Sequence, residues 1–190
     1  MKNIRFFPFV PVDVPGNFTP STFSDMAWAF GLHKTVALAC KKQGAGKTEL
    51  PVVVQVATRD CCYMFPVLGA ALDSPMISWL RALLQDEGIT KIAHSAQWMR
   101  KMFSRTLGIE MQGIHDTMLW NEAATHIANE SIHETLANRK VQVECMPSDA
   151  RFLFVLAAAQ TADASENTQL RAKELHERAF PHVVIIDLTE

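Results

Sequence analysis

The sequence predicts a mixed α/β layer protein, and two observations carry that prediction. TVALAC (35–40), ELPVVVQVAT (49–58) and CCYMFPV (61–67) are short apolar runs separated by turn signals, the pattern of an antiparallel meander. From residue 68 onward, amphipathic helical patterns alternate with short apolar stretches. The length agrees: 190 residues suit a single domain, 1–190, and at that size a core closes without disulfides or a structural metal.

Residues 4–14 (IRFFPFVPVDV) are β-prone, but Pro8 and Pro11 give a ladder no N–H and confine the segment to an edge strand or an extended arm. Thr19 before Pro20 has the form of an N-cap and first helical residue. Phe23, Met26, Ala27 and Phe30 follow at helical spacing, and Gly31 closes a helix over about 20–31. A polar Gly/Lys loop at 41–48 joins the first two runs of the meander. Asp73 or Ser74 before Pro75 starts a helix with Ile77, Leu80, Leu83 and Leu84 on one face, ending near Gly88. TKIAHS (90–95) is a short strand, and 96–108 is a helix with Met99, Met102, Phe103 and Leu107 inward. After GIHDT (113–117), residues 118–137 read as helix. Pro147 opens another through RFLFVLAAAQ, 168–179 gives a charged one, and PHVVIIDL (181–188) is a last strand candidate. TADASENT (161–168) is the linker-like stretch.

With 48% hydrophobic and 20% charged residues, the composition excludes a disordered, collagenous or disulfide-stapled chain. A net charge of −2 gives no global field for phosphate, so any nucleic-acid contact requires a local patch. Cys40, Cys61, Cys62 and Cys145 form no CxxC, so they read as free thiols of an intracellular, reducing compartment and not as a zinc site. No run of about 18 apolar residues exists, and no membrane partner is expected. QGAGKT (43–48) is not a phosphate loop. Lys41 stands where that motif needs its first glycine, and Pro51 with VVVQV continues as strand where the motif needs a helix, so the segment reads as a glycine-rich hairpin turn. HExxH and GxSxG are both missing. His126 and His133, two helical turns apart, have no third ligand and read as a solvated or capped pair.

Three segments in order, VVVQVATRDCCYMFPV, LRALLQDEGITKIAHSAQWMRKMFSRTLGIEMQGIHDTMLW and PSDARFLFVL, resemble the RNase D-like and Egalitarian-like branch of the 3′–5′ exonuclease family. The resemblance covers about 35–160, leaving 1–34 as an N-terminal arm and helix and 161–190 as a C-terminal extension. It implies an RNase H-like exonuclease fold, a mixed sheet with an antiparallel meander flanked by helices. It also implies a site in which two divalent cations about 4 Å apart, held by four carboxylates, clamp the attacking and leaving oxygens. The first-motif pair falls on Ala39 and Lys41. The second-motif aspartate, five residues after His94, falls on Met99, and the third falls on Asp149, with Cys145 where a tyrosine is usual. One of the four ligands remains. Asp149 also suits the first turn of a helix opened by Pro147, where the helix dipole favours an acid without metal. Asp116 matches a supporting residue of the family and reads as a turn or cap residue, and Met99 reads as core filler.

The expectation is therefore a catalytically inactive exonuclease-like domain with no metal and no cofactor, serving as a scaffold or adaptor in an RNA-processing or RNA-regulatory complex. Its expected partners are proteins, with RNA and a second copy of the chain as further candidates. Surfaces considered are the N-terminal arm, the C-terminal VVIIDL and the exposed members of Trp28, Trp79, Trp98 and Trp120. The alternative is a non-catalytic RNA-binding module using Lys41, Lys42, Lys47, Arg100, Lys101 and Arg105, residues that equally suit a solvated face. A third reading keeps an active exonuclease with an atypical metal site.

Overall fold

The computed structural model describes residues 9–11, 34–58, 62–128, 131, 134–135, 150, 152–162 and 164–181. The helix expected over 20–31, Trp28, Cys61, His133, Cys145, Pro147, Asp149 and most of PHVVIIDL lie outside them.

Among the described residues six strands form one sheet: β1 (Phe9–Pro11), β2 (Thr35–Gln43), β3 (Leu50–Ala57), β4 (Cys62–Pro66), β5 (Thr90–Ala93) and β6 (Ile114–Asp116), in the order β1-β4-β3-β2-β5-β6. The meander is β2-β3-β4, antiparallel throughout, while β5 lies parallel to β2, and β6 and β1 lie parallel to β5 and β4 at the two edges. The helices are α1 (Pro75–Gln85), α2 (Ala96–Leu107), α3 (Thr117–Thr125), α4 (Phe152–Ala162) and α5 (Glu166–Ala179). None of the described helices is long and apolar enough to cross a membrane.

Alternation along β2 sends Val36 and Leu38 to one face and Ala37 and Ala39 to the other. The first face meets α1 and α2 in the larger core, where Val54, Val56 and Phe65 pack with Ile77, Leu80, Met102 and Phe103. The second carries small residues, Ala37 and Ala57 beside Ile92, and α4 lies against them through Leu153 and Ala157. Covering both faces is what parallel strands require.

Local chemistry sets the helix boundaries. The Ser74 hydroxyl accepts from the Ile77 N–H and Pro75 supplies the first turn of α1. At its other end α1 stops at Gln85, short of Gly88, and the buried Lys91 donates its ammonium to the Asp86 carbonyl. Burial lowers that ammonium to about 8, against the raising effect of Asp86 and Glu87.

Three expectations are corrected. Lys41–Gln43 belong to β2 and not to a loop, because Lys42 and Gln43 still pair with Pro51 and Leu50 across a bulge at Lys41/Lys42. The turn is only 44–49, with Gly44 at φ +87° and an added Cβ there 2.7 Å from the Thr48 carbonyl oxygen. The helix expected over 118–137 stops at Thr125. His126 adopts φ 63° and its N–H closes on the Glu122 carbonyl, which ends the helix there. The stretch 161–168 is mostly helical, since Thr161 and Ala162 end α4 and Glu166 already begins α5.

Gly113 sits at φ +60° with an added Cβ only 2.6 Å from the Ile89 carbonyl oxygen, and its own carbonyl takes the Lys91 N–H that starts the β5-β6 pairing. Gly113→Ala is expected to cost about 3 kcal/mol, combining left-handed strain with displacement of a backbone neighbour. Thermal unfolding checks this, with a fall of about 6–12 °C in Tm expected at this chain length. An unchanged Tm would contradict it.

Candidate functional site

The carboxyl ends of the parallel strands β2, β5 and β6 meet at one end of the sheet, where open α/β folds place their ligand sites. β5 gives way to His94 and Ser95, the latter at φ 62°, and then to the N-terminus of α2; β6 gives way directly to α3. Asp116, fully buried, joins the two. Its carboxylate accepts from the Ser95 N–H at 3.0 Å, the Ala96 N–H at 2.7 Å and the Met118 N–H at 3.0 Å. Burial pushes its carboxyl up to about 6, and those backbone hydrogen bonds act in the opposite direction. Thr117 donates its hydroxyl to the Ala93 carbonyl at 3.2 Å, so the His94 Nδ1 at 3.0 Å from the same oxygen is the protonated nitrogen.

The residues that the resemblance aligns with the family's carboxylates fall on different elements. Ala39 is half-buried against the smaller core, beside Gln55 on β3, whose Oε1 accepts from the Ala150 N–H at 3.0 Å. Lys41, two residues further along β2, is exposed. Met99 is 3% exposed and packs in the larger core. Asp149 lies outside the described residues, immediately before Ala150. A methyl group, an ammonium and a buried thioether do not fit a pair of hard divalent cations, which require oxygen ligands whose charge offsets theirs. The nearby hairpin acid does not replace them. Glu49 contacts the Lys42 ammonium through Oε1 and the Trp98 indole N–H through Oε2, and these hydrogen bonds, first Lys42 and then Trp98, hold its carboxyl below the usual range.

Of the six cations picked out in the sequence, Lys42 and Arg105 are brought together. Lys42 lies 4.6 Å from the Trp98 ring centroid, and the Arg105 guanidinium donates to the Glu49 carbonyl at 2.6 Å. Lys41, Lys47 and Lys101 are exposed, and Arg100 reaches Glu110 at 3.5 Å. Sequence reasoning missed this junction, since no spacing rule connects 49 with 98. Among the tryptophans, Trp120 is buried, which removes it from the candidate surfaces, and Trp79 stacks on Phe65 at 5.2 Å. Cys40 and Cys62 form no disulfide among the described residues, and burial pushes Cys40 up to about 12, far from thiolate reactivity.

A mixed sheet with this meander and helices on both faces is the RNase H-like exonuclease architecture. The solved structures agree. RNase D of Trypanosoma brucei in complex with RNA U12 superposes with TM-score 0.65 at 15% identity, over 95% of this chain and 74% of that one. NrnC of Brucella melitensis bound to pGG gives TM-score 0.65 at 16% identity, over 92% and 90%. Escherichia coli RNase D, an exoribonuclease involved in structured RNA processing, gives TM-score 0.65 at 12% identity, over 96% of this chain and 52% of that one. No curated protein sequence matches the chain. The profile of the 3′–5′ exonuclease family matches residues 34–145, more than half of the chain, and the chain belongs to that family.

Proposed function

We propose that this member of the 3′–5′ exonuclease family is catalytically inactive and acts as a protein-interaction scaffold in an intracellular RNA-processing or RNA-regulatory complex. The observation that carries the reading is the set of side chains at the family's carboxylate positions: Ala39, Lys41 and the core-packed Met99. Two divalent ions bring four positive charges, and Asp149 alone offsets one of them. Without the ions, neither the nucleophile nor the leaving oxygen is stabilised, and turnover falls by many orders of magnitude.

Purified protein is expected to show no Mg²⁺- or Mn²⁺-dependent trimming of 3′ ends in single-stranded RNA or DNA, and calorimetry with Mn²⁺ no strong site. Trimming that a chelator stops and Asp149→Asn abolishes would establish the atypical active enzyme instead.

A second reading, a non-catalytic RNA-binding module, is favoured by the meeting of the β2-β3 hairpin with α2. There Lys42 and Arg105 adjoin, with Lys41, Lys47 and Lys101 exposed on the same two elements. Binding to single-stranded RNA measured against salt separates the two. Log affinity falling by about 0.7 per phosphate contact supports the module, and the absence of salt-sensitive binding supports the scaffold.

A further inference from the structure

Among the described residues β6 is the last strand of the sheet, with no strand paired to its far side. A side chain from α5 covers it. Nε2 of His176 accepts the Asp116 N–H at 2.8 Å, and Nδ1 of the same ring lies 2.8 Å from the Ala172 carbonyl. The two bonds assign the ring. A backbone N–H can only donate, so Nε2 is a bare lone pair, and a carbonyl can only accept, so Nδ1 carries the hydrogen. His176 is thus the neutral Nδ1–H tautomer, and a second proton has only Nε2 to occupy, where it would point at the Asp116 N–H.

The surroundings offer an imidazolium little compensation. His176 is buried, with His115 at 6.1 Å and Phe180 at 6.0 Å between ring centroids. His115 is itself buried against Trp120, and its Nε2 has no hydrogen-bond partner among the described residues. On β6 the Asp116 carboxylate is turned to the N-termini of α2 and α3. The charged residue of α3 is Glu122, half-buried, and α2 brings Gln97 to the Ala179 carbonyl while Arg100 and Arg105 are engaged elsewhere and Lys101 is exposed. On α5 itself Lys173, Glu174, Glu177 and Arg178 are exposed. Burial holds both imidazoles below their ordinary range, His115 down to about 3.

We propose that His176 is a protonation latch: it takes up a second proton only by leaving Asp116, so acid releases α5 from β6. The sign follows from linkage. The released state binds more protons below the ordinary imidazole range, so docking is fully stable above about pH 6.5 and weakens as pH falls.

Hydrogen exchange on the full chain, corrected for intrinsic rates, tests this between pH 7 and pH 5. Amides of α5 and β6 are expected to open up to about tenfold more per pH unit for each proton taken up, with His115 adding to the count, while β3 stays protected. His176→Gln keeps an acceptor for Asp116 but cannot be protonated, so its pH slope should be smaller by one proton; equal slopes would overturn the latch. Should that variant not fold, ¹⁵N spectra of the native protein decide. A bare Nε2 at pH 7 whose protonation coincides with lost Asp116 protection supports the proposal. An Nε2–H at pH 7, or protonation with protection retained, overturns it.

Discussion

Met99→Asp is expected to destabilise the fold by about 4 kcal/mol at pH 7 and to restore no nuclease activity. The position has no water to share with a carboxylate, being 3% exposed among apolar neighbours of the α1 and α2 core. The new acid would remain neutral, and holding a carboxyl of ordinary value near 3.9 neutral at pH 7 costs about 3 pKa units, or about 4 kcal/mol, before lost thioether packing is counted. The folded-state value is raised, so the penalty grows as pH rises from about 4 and shrinks on acidification. Denaturant unfolding at pH 4.5 and 7 measures both. A stability like the native protein's at pH 7, or metal-dependent trimming by the variant, would show that Met99 faces the strand ends and that the inactive reading fails.

Asp116→Ala is expected to cost about 3–5 kcal/mol of stability. Removing the fully buried carboxylate leaves the Ser95, Ala96 and Met118 N–H groups, two helix N-termini at once, without their acceptor. Hydrogen bonds to a charged acceptor are worth about 1.5–3 kcal/mol each, and a lost N-cap alone about 1. Asp116→Asn separates shape from charge, because its amide would set a donor against the Ala96 N–H now 2.7 Å from the carboxylate. The native carboxyl is raised to about 6, so the folded state binds the extra proton between about pH 4 and 6 and native stability falls as pH rises through that window. The gap between the Asn variant and the native protein should therefore be wider at pH 4 than at pH 7. A gap that widens with pH instead would mean that the three amides outweigh burial and the carboxyl is charged throughout.

Much of the fold was legible because its signals are local. The Ser74-Pro75 start of α1, the apolar runs of the meander and the Asp116-Thr117 entry to α3 each depend on sterics and hydrogen bonds within a few residues. The phosphate-loop reading could be rejected for the same reason, since Pro51 and the β-branched run after it specify a strand beyond the glycines. The end of α3 was not legible. No glycine or proline stands near residue 126, and the left-handed turn there is accompanied by a contact with Arg171 from α5.

The sequence by itself determined the family, the strand meander and most helix starts, because periodicity, capping and side-chain chemistry are written in neighbouring residues. Only the tertiary structure decided that Glu49 is shared by Lys42 and Trp98, and that His176 of α5 accepts the Asp116 N–H. The Glu49–Trp98 and Asp116–His176 contacts join residues tens of positions apart. Their geometry follows from strand register and from which helix face packs on which side of the sheet, and a single helical turn or a one-residue slip would break each of them.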